Sequence, residues 1–250
     1  MLSEFVADWE QELKTISALL FENGWAEANG GNISIHLNKP LSFQADSIAL
    51  EKSYPELENE SFAITVSGSR MRDIARDLNS NICVVKIINN GTAYIVNPAD
   101  AFPSSELPAH LAVHSKLAQY HSVNRVFLHT HPPHLIALSQ KLKPPQLIET
   151  LVRMFPEAAL MLYNNIQVLP YIASGSQKLA ELTAQAIGNA HGVLWSGHGM
   201  CATGKDISSA FDVVDVAEKA ARIALLLGDG LMTAGLSQEQ LDDIIEAKPK

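Results

Sequence analysis

A His-x-His step, His129 and His131, follows the apolar run Val126-Phe127-Leu128 and precedes Pro132-Pro133. Residues two apart on a strand point to the same face, so both imidazoles can share one ion. Proline cannot donate to a strand ladder, so the pair of prolines ends the strand just where the second imidazole is presented. A catalytic zinc ion takes three protein ligands and keeps one position open, so a third nitrogen is needed. His198, within Trp195-Ser196-Gly197-His198-Gly199, is the candidate. It too follows an apolar run, Val193-Leu194-Trp195, and its flanking glycines let backbone come close to whatever the imidazole holds. The competing reading is plain: with nine histidines in the chain, one His-x-His can arise by chance at an ordinary strand end.

A second set competes for a metal. Glu106, His110 and His114 stand at i, i+4 and i+8, roughly one helical face. Against this, an acid that opens a helix commonly serves only the helix dipole, and the two histidines then read as packed or surface residues. A free carboxylate beside an ion held by three imidazoles is what proton abstraction next to a carbonyl requires. The ion polarises the carbonyl and stabilises the enediolate, and the carboxylate moves the proton.

Three stretches could hold an anion. Asn29-Gly30-Gly31-Asn32 offers backbone N–H groups in a turn with two side-chain amides beside them. Ser67-Gly68-Ser69 and Ser104-Ser105 add hydroxyls and a helix N-terminus. Each alone is also an ordinary turn. The sequence has neither a phosphate-loop lysine pattern nor G-x-G-x-x-G, so nucleotide folds are not indicated.

The elements that must position these residues follow from periodicity. Phe5, Trp9, Leu13, Ile16 and Leu20 predict an amphipathic helix ending before Gly24. Ile33, Ile35 and Leu37 alternate with Ser34 and His36, which predicts a half-buried strand. Residues 39–61, with Pro40 and Pro55, read as a long excursion. Phe62-Ala63-Ile64-Thr65-Val66 predicts a strand running into Ser67, with a short helix behind it. Runs at 82–88 and 92–96 flank Asn89-Asn90-Gly91, a hairpin signal.

Ser104-Ser105-Glu106-Leu107-Pro108 reads as a helix start, with a serine cap and an acid in the first turn, and the helix runs to about residue 119. After the His-x-His strand come a helix from Leu135, a strand at 158–162 and another at 167–169. A helix through Leu179, Leu182, Ala186 and Ile187 then leads to the His198 segment. Thr203-Gly204-Lys205-Asp206 opens a long helix through Phe211, Val214, Ala217 and Ile223, and a short acidic helix with a basic tip ends the chain. Helices and hairpins interleave irregularly, which predicts an α/β sandwich on a mixed sheet.

Composition bounds the function. The 250 residues are 47% hydrophobic, enough for one large core. A net charge of -9 and the absence of a Lys/Arg cluster argue against a nucleic-acid partner. Cys83 and Cys201 form no disulfide framework and are expected to be reduced and structural. The N-terminal residues lack the charged and apolar regions of a leader, and no apolar run is long enough to span a membrane, so a cytoplasmic location is expected.

Taken together and in this order, Asn-Gly-Gly-Asn, Thr-x-Ser-Gly, Ser-Ser-Glu, His-x-His and a late His-Gly resemble the class II aldolase and adducin-head family. Ser105-Glu106-Leu107-Pro108-Ala109-His110, with Gly24-Trp25 ahead of the glycine pair, is most similar to the branch acting on L-rhamnulose 1-phosphate. The resemblance runs from about Gly24 to Arg222. It implies a three-layer α/β/α sandwich around a mixed, largely antiparallel sheet, as a single domain over residues 1–250. It implies one Zn2+ per subunit on His129, His131 and His198, with Glu106 as general acid/base. It further implies phosphate held by Asn29, Gly31, Asn32, Ser67, Gly68 and Ser105.

Glu157, ahead of an apolar run that leads to Leu169-Pro170, matches a glutamate that this branch lends across a subunit interface, and a homotetramer is implied. The implied activity is cleavage of a ketose 1-phosphate to dihydroxyacetone phosphate and an aldehyde, L-lactaldehyde for the rhamnulose substrate. The chain departs from that branch in its short 39–61 excursion, its end at Lys250 and Val66 in place of a glycine, all of which bear on the aldehyde accepted. Fuculose and ribulose phosphate enzymes use a late tyrosine, whereas the last tyrosine here is Tyr171. Methylthioribulose-1-phosphate dehydratase shares the zinc pattern. A non-catalytic adducin-like interaction domain is the alternative of another class, but it would have no need of three matched histidines plus the acid.

Overall fold

Residues that alternate in the sequence line opposite faces of one sheet. The computed structural model of the chain describes residues 6–37, 39, 41–188 and 190–247. The expectations resting on Phe5, on the other N-terminal residues, on Pro40 and on the basic tip lie outside these. The first half of the chain forms α1 (Glu10–Glu22), β1 (Asn32–His36), β2 (Ile48–Ala49), β3 (Ser61–Thr65), α2 (Met71–Ile74), β4 (Ile82–Ile88), β5 (Ala93–Asn97) and α3 (Leu107–Gln119). Then come β6 (Val126–Thr130), α4 (Pro133–Lys141), α5 (Pro144–Arg153), α6 (Pro156–Leu162), β7 (Ile166–Leu169) and α7 (Gln177–Ile187). The last elements are β8 (Gly192–Trp195), β9 (Gly199–Gly204), α8 (Ile207–Leu226) and α9 (Gln238–Glu246).

Among the described residues the sheet has nine strands in the order β2-β5-β4-β3-β1-β6-β9-β8-β7. All its pairings are antiparallel except β7 with β8. On one face Val126 and Leu128 of β6 and Ile33 and Ile35 of β1 join a core with α1, α4, α5, α6, α8 and α9. On the other face Phe127, Val193 and Trp195 join a second core with α3 and α7. Helices cover both faces, and the three-layer sandwich on a mixed, largely antiparallel sheet is the observed fold. Val126, Phe127 and Leu128 are fully buried, each worth about 1.5–3 kcal/mol on transfer from water. That burial makes β6 a rigid support for the imidazoles at its exit.

The Asn89-Asn90-Gly91 hairpin forms as expected, with φ of +58°, +58° and +76°. A β-carbon at Gly91 would stand 2.3 Å from the Tyr54 carbonyl, so only glycine fits there. Helices α7, α8 and α9 also fall where the sequence placed them, capped by Ser176, Asp206 and Ser237. Cys83 and Cys201 are free and buried. No helix among the described residues is long and apolar enough to cross a membrane.

Several expectations are corrected. Residues 158–162 form helix α6, not a strand. Pro156 opens it, Glu157 sits in its first turn, and Ala, Leu and Met are strong helix formers. The apolar run gave no period to separate the two. The excursion 39–61 contains the short β2 and a 3-10 turn at Pro55–Leu57. Strand β9 was not anticipated because its glycines and threonine read as turn residues, yet it is buried throughout. The helix expected from Leu135 is two, because Pro144 and Pro145 start a new one. Strand β1 is buried on both faces rather than half-buried, because α3 covers its polar side. Helix α3 begins at Leu107, one residue after Glu106, and that carboxylate makes no capping bond.

Candidate active site

Strand ends and one helix start meet around a cavity of about 290 Å³. Pairing of β1 with β6 sets Asn32 beside His129, and pairing of β6 with β9 sets His129 beside Cys201. His131 lies just past β6, where its backbone N–H and the Thr130 hydroxyl both donate to the Trp25 carbonyl at 2.7 and 2.5 Å. His198 occupies the tight turn between β8 and β9. There Gly197 has φ +70° and donates its N–H to the Ser139 hydroxyl. Trp195 packs its ring against both His129 and His198, with centroids 4.5 and 5.1 Å away. Its indole N–H is fixed by Thr183.

The glycines are close-approach positions. A β-carbon on Gly199 would lie 2.5 Å from the Thr130 carbonyl and 2.9 Å from Cε1 of His129. One on Gly30 would lie 2.8 Å from Nδ1 of His131. The backbone thus comes against the imidazoles from two sides, as the glycine beside His198 foretold.

A nitrogen from each of His129, His131 and His198 lies within 4.8 Å of the other two. His129 donates from Nδ1 to the Met200 carbonyl at 3.2 Å, and His131 donates from Nδ1 to Glu27 Oε1 at 2.9 Å. Both rings turn Nε2 inward, and these two atoms stand 3.1 Å apart. Burial, helped by the neighbouring imidazoles, holds His129 well below the usual histidine range. Burial likewise takes His198 down to about 4. Imidazoles converging on one point are the donor set that a zinc-like ion takes. The residues fit such an ion.

Glu106 stands beside this cluster, 6% exposed, with Oε2 3.6 Å from Nε2 of His129 and Oε1 3.9 Å from Nε2 of His198. Burial lifts its carboxyl above the usual range, opposed by a hydrogen bond from the Asn32 amide. The rival metal set on α3 does not form. His110 and His114 are buried with ring nitrogens engaged by Asn32 and Ser34. Among the described residues the only group that could hold a metal is the strand-end trio.

The three stretches read as candidates for an anion converge on the same cavity. Asn29, Gly31 and Asn32 form one wall, Ser67 and Gly68 a second, and Ser105 a third. Two backbone bonds tie the serine loops together, Ser67 N–H to Phe102 at 2.7 Å and Ser104 N–H to Thr65 at 2.9 Å. None of the lining residues is Lys or Arg, so an anion held between these three walls would rely on N–H groups, amides and hydroxyls. Glu157 is not at this cavity. It is exposed on the first turn of α6 and borders a separate apolar groove with Met161 and Val216.

Two lining residues escaped the sequence reading. Glu27 is a lone acid in a turn, and only its place just ahead of Gly30-Gly31 could have marked it. Ser174 belongs to the Ser174-Gly175-Ser176 turn ahead of α7, and only its likeness to Ser67-Gly68-Ser69 could have marked it.

The family model for the Class II Aldolase and Adducin N-terminal domain matches residues 11–225. Rhamnulose-1-phosphate aldolase from Bacteroides thetaiotaomicron is 32% identical over 244 residues, covering 92% of this chain and 90% of that protein. The enzyme of the same name from Enterobacter sp. is 32% identical, covering 87% of this chain and 84% of its own. Among solved structures, a sugar-phosphate aldolase from Thermotoga maritima superposes with a TM-score of 0.79 at 31% identity, over 87% of this chain and 94% of that one. An L-fuculose 1-phosphate aldolase shares the fold at a TM-score of 0.64 and 23% identity, over 96% and 95% of the two chains. The matched span includes every strand end that builds the cavity, and the chain belongs to the Class II Aldolase and Adducin N-terminal domain family, among its aldolases.

Proposed function

We propose that the chain, acting as one domain over residues 1–250, is a zinc-dependent aldolase that cleaves a ketose 1-phosphate to dihydroxyacetone phosphate and an aldehyde. L-Rhamnulose 1-phosphate is the substrate that fits first, with L-lactaldehyde as the second product, because the relatives at 32% identity carry that name. The observation that carries the reading is one juxtaposition. A buried carboxylate, Glu106, lies within 4 Å of two members of a three-imidazole cluster, in a cavity also lined by the glycine turn at 29–32 and the serine loops at 67–69 and 104–105.

His129, His131 and His198 are the residues that would hold the ion. When bound, zinc supplies a Lewis acid for the substrate carbonyl. Asn29, Gly31, Ser67, Gly68 and Ser105 receive the phosphate through backbone N–H groups, hydroxyls and an amide. As the carbon–carbon bond breaks, the hydroxyl of the other half gives its proton up to water and becomes the aldehyde carbonyl, and the electron pair of the bond stays on the three-carbon fragment. Glu106 delivers a proton to that carbon, and removes it in the reverse direction. Its lifted pKa suits a group that must hold a proton for part of the cycle.

Glu157 serves the aldehyde half from a neighbouring subunit of a homotetramer. Its exposure on α6, away from its own cavity, supports a role toward another copy. Two buried, free thiols fit a reducing cytoplasm.

A panel of ketose phosphates, assayed with zinc present, tests the reading. L-Rhamnulose 1-phosphate should give the highest kcat/KM, above L-fuculose 1-phosphate and methylthioribulose 1-phosphate. Cleavage of none of them would overturn it.

A further inference from the structure

A chain of five buried side chains leads away from the cavity, between β1 and α3. Asn32 Nδ2 donates to Glu106 Oε2 at 3.0 Å. His110 Nε2 lies 2.6 Å from Asn32 Oδ1, and His110 Nδ1 lies 2.6 Å from Ser34 Oγ. Ser34 Oγ is in turn 2.8 Å from His114 Nε2. Exposure is 8% or less at Asn32, and lower at the other four.

Two periodicities bring these residues into register. Asn32 and Ser34 are two apart on β1, a step of about 6.8 Å along an antiparallel strand. His110 and His114 are four apart along α3, a step of about 6.0 Å, and Glu106 stands four before His110 at the N-cap. The near match lets strand and helix residues interleave, so each polar atom finds its partner on the other element.

We propose that Asn32 and His110 are positioning residues for the reacting carboxylate, with Asn32 clamping Glu106 and His110 fixing the Asn32 amide, rather than Asn32 being a ligand of the substrate phosphate. This rests on Glu106 being the proton-transfer group. The direction of every bond follows from chemistry. An ionised carboxylate only accepts, so the amide NH2 must face Glu106 and the amide oxygen must face His110. His110 therefore carries its proton on Nε2 and accepts at Nδ1 from the Ser34 hydroxyl. Ser34 in turn accepts from Nε2 of His114. All donors point toward Glu106, and bonds in one direction polarise one another. Burial takes His110 down to about 3 and His114 well below its usual value, leaving each ring the single N–H that this order requires. Because the amide occupies Oε2, Oε1 on the His198 side is left to carry the proton.

A phosphate ligand and a clamp fail differently when removed. Loss of a phosphate contact raises KM and leaves kcat. Loss of a clamp lowers kcat and leaves KM. Asn32→Ala and His110→Ala, assayed with L-rhamnulose 1-phosphate at equal zinc content, should each lose roughly tenfold or more in kcat with KM changed by less than about threefold. His110→Gln, which keeps an N–H for Asn32, should recover most of the loss. A raised KM with unchanged kcat in Asn32→Ala would overturn the proposal.

Glu106→Gln is the control. If it turns over normally, the assignment of Glu106 is wrong. If it is dead while both alanine variants are normal, only the positioning claim falls. Should the variants fail to fold, 15N spectra of histidine-labelled wild type decide. His110 and His114 should both be neutral with the proton on Nε2 at pH 7, and an Nδ1 proton on His110 would contradict the chain.

Discussion

Glu27 accepts a 2.9 Å hydrogen bond from Nδ1 of His131, joining the turn before β1 to the exit of β6. Partial burial works to raise the Glu27 carboxyl, but the bond from His131 and the local backbone outweigh it, so the group lies below its usual range. The carboxylate holds the proton of His131 on Nδ1, which leaves Nε2 with its lone pair toward His129 and His198. Such outer partners orient metal-binding histidines. Glu27→Ala should therefore weaken zinc binding by roughly 10–100-fold, read by competition against a chromophoric chelator. Unchanged affinity would mean that packing alone orients His131.

The buried histidines on α3 make stability depend on acid. His110 lies at about 3 in the folded chain, against about 6.5 for an unperturbed ring. Between those values the unfolded chain binds a proton that the native one does not, so stability falls as pH falls. The loss is about 1.4 kcal/mol per pH unit from this group, and the stabilisation is fully present only above pH 6.5. His114 acts in the same direction. Urea titrations of metal-free wild type and His110→Gln between pH 7.5 and 4.5 should diverge in slope, the variant being flatter. Parallel curves would place the acid sensitivity elsewhere.

Much of this arrangement was legible in the residues. The His-x-His step worked because β6 is a two-residue period with apolar neighbours buried on both faces. The glycine beside His198 worked because a missing β-carbon leaves room for a ring. What was not legible is how a polar face is closed. Nothing in the alternation of Ser34 and His36 tells whether water or a helix covers them, and Ser34 turned out to sit between two histidines of α3. The same limit misread residues 158–162. A run without polar residues carries no period, and Pro156 followed by an acid was the better guide.

Glu157 makes a separable forecast. If it serves a neighbouring copy, Glu157→Gln should lower cleavage while proton exchange on dihydroxyacetone phosphate, which needs only Glu106 and the metal site, survives. Mixing inactive Glu106→Gln and Glu157→Gln subunits should then restore part of the activity, and the active protein should sediment as a tetramer. Normal cleavage by the variant, or an active monomer, would return Glu157 to an ordinary first-turn acid on α6.

The most direct test of the account is the exchange of the C3 proton of dihydroxyacetone phosphate with deuterium, followed by NMR for wild type and Glu106→Gln at equal zinc content. The wild type should exchange, and the variant should be slower by about 10²–10⁴-fold with its zinc retained. Exchange at the wild-type rate in Glu106→Gln, or none in the wild type, would contradict the assignment of Glu106 beside His129 and His198 as the group that moves the proton.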